Sequence, residues 1–149
     1  MGKLLTAIVL GLISNPLIST ADNEKDLEDV IRTAQIAKNC TDKKKEAGGI
    51  TYSMTIEDGK VKFSFKYVDS NDGTDGLIDE GDYINLIVKG KGYPNSLRII
   101  KIEDGGKVNV YYEEGLNLKK TDRRDHYITI KALRRMIEIT PDVFGGDLK

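Results

Sequence analysis

From Ile50 onward the apolar residues of this chain recur at every second position, and that period demands a sheet. Ile50, Tyr52, Met54 and Ile56 alternate with Thr51, Ser53, Thr55 and Glu57. Val61, Phe63, Phe65 and Tyr67 then alternate with Lys60, Lys62, Ser64 and Lys66. Successive strand side chains point to opposite faces, so this pattern buries one face and wets the other. Asp58-Gly59 between the two runs is a hairpin signal. The stretch Ile102-Glu103-Asp104-Gly105-Gly106-Lys107-Val108 nearly copies Ile56 to Val61 with one extra glycine, so a second hairpin is expected there.

Before Gly48-Gly49 the period is helical. Leu27, Val30, Ile31, Ala34 and Ala37 fall on one stripe. Asp22 or Asn23 can cap the start, and the run Lys43-Lys44-Lys45 suits the negative end of a helix reaching about Lys45. Tyr83 to Lys89 is strand-like, although Gly90 could instead cap a short helix there, and further strands are expected over Leu97 to Ile102 and Val108 to Tyr112, with a polar loop from Gly115 to Arg124. Tyr127 to Ile139 fits two templates: a strand at Ile128 to Ile130, or a helix through Ile130, Leu133 and Ile137. The expected fold is α+β, an N-terminal helix packed on an antiparallel sheet of about five or six strands. One domain spans 22–140, and 141–149 is a tail. The layout is similar to that of cystatin-type domains in architecture alone.

The first residues predict export. Met1-Gly2-Lys3 is a short positive segment, Leu4 to Ile13 is apolar, and Ser19-Thr20-Ala21 offers small residues for cleavage. Residues 1–21 therefore read as a signal peptide, and no membrane span is expected after its removal. The destination is the secreted space, the cell envelope or the periplasm. A formal net charge of −1 argues against nucleic-acid binding, which needs a basic face. A single cysteine, Cys40, excludes an intrachain disulfide.

Oxygen ligands concentrate between Asp69 and Asp82, where the chain reads DSNDGTDGLIDEGD. Hard cations take six to eight oxygens, and glycine permits the sharp turn that makes nearby carboxylates converge. With Asn71 at position 1, Asp75, Gly76, Ile78, Asp79 and Asp82 occupy positions 5, 6, 8, 9 and 12 of an EF-hand-like loop. The segment resembles that loop, the dockerin loops that close on Asp, and the nine-residue D-x-D-x-D-G-x-x-D loops of integrin-type propellers. It departs at Gly73, which has no ligand side chain, and at Asp82 where an EF-hand has Glu. A loop two residues longer would use Asp69, Asn71, Asp75, the Leu77 carbonyl, Asp79 and Asp82. The resemblance implies a calcium site, and strands on both sides favour a β-loop-β setting over paired helices.

Catalytic patterns are lacking. His126 is the only histidine and lies in a polar stretch where surface placement is expected. A Cys40–His126 pair would suit nucleophilic chemistry, but Cys40 lies near a helix C-terminus, which disfavours thiolate. Tyr52, Tyr67 and Tyr112 read as core residues. The expectation is a non-enzymatic, calcium-binding adhesion or binding module, with a protein or glycan partner at the cell surface. The alternatives are an inhibitor-like interaction protein without metal and a small calcium-dependent hydrolase.

Overall fold

The computed structural model describes residues 20–40, 42–46, 49–69, 80–93 and 96–143. Helix α1 (Thr20–Cys40) comes first. Strands β1 (Asp42–Glu46), β2 (Gly49–Asp58), β3 (Val61–Asp69), β4 (Tyr83–Lys89), β5 (Arg98–Glu103), β6 (Lys107–Glu114) and β7 (Asn117–Lys120) follow, and helix α2 (Arg123–Val143) closes the order. The strands form one sheet in sequence order, β1 to β7, every neighbouring pair antiparallel. The α+β class and the antiparallel sheet are as expected. Among the described residues the expected five or six strands are seven, and the single expected helix is two.

Both helices cover the same face of the sheet. That face is built by the alternation read above: Tyr52 pairs with Tyr67, Tyr67 with Ile84, Ile84 with Ile100 and Ile100 with Val110. Each of these side chains is buried. The α1 stripe of Leu27, Val30, Ile31, Ala34 and Ala37 packs into the same core, as do Ile130, Leu133, Met136 and Ile137 of α2. Side chains of this size contribute roughly 1.5–3 kcal/mol each when removed from water. The sheet's other face carries no element among the described residues.

Polar contacts set how the helices sit. His126 Nε2 lies 2.9 Å from Asp26 Oδ2. Arg134 Nη2 donates to Asp29 Oδ2 at 2.8 Å. Both contacts advance along both helices together, so the helices run in the same sense. Asn23, in the first turn of α1, donates through Nδ2 to Gly106 O at 3.3 Å and accepts the Val108 amide at 3.1 Å. Arg135 ties α2 to the β2–β3 turn through Asp58 at 2.9 Å.

Three local expectations are corrected. Lys43, Lys44 and Lys45 do not close α1, which ends at Cys40; they form the exposed edge strand β1. Lysine on an edge strand deters pairing with another chain. The expected polar loop at 115–124 contains β7. The ambiguous stretch 127–139 is wholly helical, and the helix continues past Pro141 to Val143. Both hairpins are present. Asp58 pairs with Val61 across a two-residue turn, and the extra glycine of the copy makes the second connection a 3-10 turn, Asp104–Gly106. Gly105 adopts φ +72° there, a conformation glycine reaches without strain.

Candidate functional site

Strands β3 and β4 flank the acidic segment on both sides, where an EF-hand would have helices. The register ends with Val68 opposite Tyr83. Continued by one residue, it sets Asp69 opposite Asp82. Asp69 shares its face with Phe65 and Tyr67, and Asp82 shares its face with Ile84 and Leu86, so both carboxylates belong to the helix-covered side. Both are buried, at 0% and 1% exposure. Of the expected ligands, Asp69 and Asp82 thus lie at the base of the loop. Asn71, Asp75, Leu77 and Asp79 lie outside the described residues.

The surrounding side chains hold this base in place. Tyr67 Oη donates to Asp82 Oδ2 at 2.7 Å. Tyr52 stacks on Tyr67 with ring centroids 5.8 Å apart. Burial pushes the Tyr52 hydroxyl above its ordinary pKa, and the charge of Asp69 pushes it the same way. The Asp82 backbone is also fixed, since the Ile102 amide donates to Asp82 O at 3.3 Å and Gly81 N donates to Ile102 O at 3.2 Å. Glu80 Oε1 accepts the Gly105 amide at 2.6 Å, linking the end of the loop to the β5–β6 turn.

Cross-strand partners hold their Cβ atoms about 5 Å apart. Two carboxylates brought onto neighbouring strands repel whenever both carry charge. Each also loses its hydration on burial, and that cost is offset only by partners of opposite charge or strong hydrogen bonds. The Tyr67 hydroxyl supplies one such bond. A hard divalent cation bound to carboxylate oxygens would supply far more. Among the described residues, no three His, Cys, Asp or Glu side chains gather closely enough to hold a metal ion by themselves.

Beside the base a cleft of about 360 Å³ opens between the start of β4 and the end of β5, lined by Glu80, Asp82, Tyr83, Lys101, Glu103 and Asp104 among others. Its groups are engaged structurally. Glu103 accepts from Asn109 Nδ2 at 2.8 Å and from Tyr111 Oη at 2.5 Å. Burial alone would raise the Glu103 carboxyl, but these hydrogen bonds and the charge of Lys101 hold it below its usual pKa. The bond to Glu103 pushes Tyr111 up to about 12, so its hydroxyl stays protonated near neutral pH. Tyr111 is therefore a fixed donor and no base.

His126 is not a loop residue. It lies in the first turn of α2, half-buried against Asp26. Cys40 is the last residue of α1, about 20 Å along the helix axis from Asp26, which removes the Cys–His pairing. Tyr52 and Tyr67 are core residues as read. Tyr112 is only half-buried, with the Arg98 guanidinium 5.5 Å above its ring. Sequence reasoning missed the bidentate Arg98–Asp125 clamp, which closes at 2.9 and 2.8 Å. Its partners are 27 residues apart, and no local pattern links them.

In comparisons with known proteins, no family model, no curated protein and no solved structure matched the chain.

Proposed function

We propose that this chain is an exported calcium-binding module that carries its ion in the loop between β3 and β4 and acts by binding a protein or glycan partner rather than by catalysis. The observation that carries the reading is the pair of buried carboxylates, Asp69 and Asp82, facing each other where that loop leaves and rejoins the sheet. Two acids have no packing reason to occupy the end of an apolar core, where Val or Ile would bury at lower cost. An ion shared by both carboxylates would offset that cost. In this reading Asp69 and Asp82 close the base, and Asn71, Asp75, the Leu77 carbonyl and Asp79 complete the shell from the loop. Export supplies a calcium-rich medium, in which an affinity on the order of 10⁻⁴ M suffices.

The Tyr67–Asp82 hydrogen bond favours one competing reading, an interaction protein whose acidic loop is only a turn and whose base is held by hydrogen bonds. Calorimetry and melting curves in calcium and in chelator separate the two. Calcium at a hundredfold excess over Kd should stabilise the fold by ~2.7 kcal/mol. Asp82→Asn and Asp75→Ala should each remove that rise, while Asp104→Ala in the neighbouring turn should leave it. Equal melting temperatures in millimolar calcium and in chelator, with no binding heat, would reject the calcium reading.

A further inference from the structure

Asn39-Cys40-Thr41 is the one place in the chain where an asparagine is followed two positions later by serine or threonine, with a residue other than proline between. That triplet is the acceptor pattern for N-linked oligosaccharides in exported proteins. Its asparagine has to end on the surface, because the added group is bulky and hydrated. Helix α1 meets that demand. It turns Ile36 and Ala37 into the core, at 2% and 0% exposure. At about 3.6 residues per turn, a residue two places after Ala37 points away from the core. Asn39 is exposed there.

The amide nitrogen is also unengaged. Among the described residues the Asn39 side chain makes no hydrogen bond, whereas Asn23 and Asn109 are buried and bonded. Asn117 is exposed as well, but the residue two places on is Lys119, so it lacks the hydroxyl. The location has a consequence for the sheet. Helix α1 ends at Cys40 and β1 begins at Asp42, so Asn39 stands three residues before the edge strand. An open edge pairs with other chains through its outward N–H and C=O groups. Lys43, Lys44 and Lys45 already oppose such pairing by charge, and a hydrated oligosaccharide at this corner adds bulk beside the same edge.

We propose that Asn39 carries an N-linked oligosaccharide. The proposal rests on the export reading, since the transfer takes place on the exported side of the membrane. In that transfer Asn39 Nδ2 bonds to the anomeric carbon of an oligosaccharide carried on a lipid diphosphate. The bond from that carbon to the diphosphate oxygen breaks, the lipid diphosphate leaves with the electron pair, and the nitrogen gives up one proton. Thr41 lies outside the described residues and enters by its residue type. The test compares the full wild-type chain with Asn39→Gln, Thr41→Ala and Thr41→Ser, each produced in the native host. Wild type and Thr41→Ser should run as a heavier species that peptide N-glycosidase returns to the bare mass. Asn39→Gln and Thr41→Ala should lack that species. All four should melt alike after the glycosidase, because an exposed, unbonded side chain adds little to stability. Mass spectrometry of the same samples reads the N-terminus. A chain that begins at Asp22 with bare Asn39 would overturn the proposal and leave export standing. An intact Met1 with bare Asn39 would overturn both. A heavier species that persists in Asn39→Gln would place the modification elsewhere and overturn the proposal too.

Discussion

Tyr111 and Glu103 show how one residue's placement sets its chemistry. On a bare strand both would titrate at ordinary values, but a hydrogen bond at 2.5 Å drives the phenol up to about 12 and draws the carboxyl down. A carboxyl whose folded pKa is depressed contributes stability that is present above its unfolded pKa and is lost as pH falls through the folded one. Tyr111→Phe removes the strongest of the influences that lower Glu103, so we predict that the variant loses stability relative to wild type near neutral pH and that the gap closes in acid. Urea melts between about pH 3 and pH 7 measure this, around the ordinary carboxylate range. A gap that stays constant across the range would show that the bond does not bias Glu103. The residues Asp69 and Asp82 were readable as ligand candidates from their types and spacing. Their burial and their opposition across β3 and β4 were not, because a cross-strand neighbour thirteen positions away leaves no periodic trace.

Among the elements, β2, β3 and β4 were legible because their apolar positions alternate and their ends are marked by glycine or by the acidic segment; α1 was legible as a stripe but not at its end, which falls at Cys40, before the lysine run and Gly48-Gly49. The failures have physical causes. In α2, Tyr127 to Ile130 are aromatic or β-branched and favour a strand locally, yet burying Ile130, Leu133, Met136 and Ile137 together on the core requires a helix. A signal for it was present: Asp122 caps the helix through the Asp125 amide at 2.8 Å, a pattern visible three residues apart. Strands β1 and β7 are short and charged, so no period announces them; each exists because a neighbouring strand offers it a ladder. The start of α1 depends on Asn23, which joins the helix to Gly106 and Val108. Asn23→Ala strands two buried backbone groups and should cost about 1–3 kcal/mol in a urea melt. A loss below a few tenths of a kcal/mol would show that packing alone seats α1.

For the molecule as a whole, the export reading makes a direct prediction: mass spectrometry of protein from its native host should find Asp22 as the first residue. Intact Met1 in soluble cytoplasm would reject it. Cleavage there leaves Asn23 second in the chain, so the anchor between α1 and the β5–β6 turn would form beside the new terminus. The sequence by itself determined the class of fold, because a switch from a period of 3.6 to a period of 2 admits few arrangements other than helix on sheet. It also determined the buried face of each strong strand and the position of the acidic loop. Tertiary structure alone decided that a second helix shares that face, that charged segments complete the sheet's two edges, and that Asp69 and Asp82 both end up buried. Those outcomes follow from long-range burial and strand pairing, whose free energies outweigh local propensity and which no window of neighbouring residues contains.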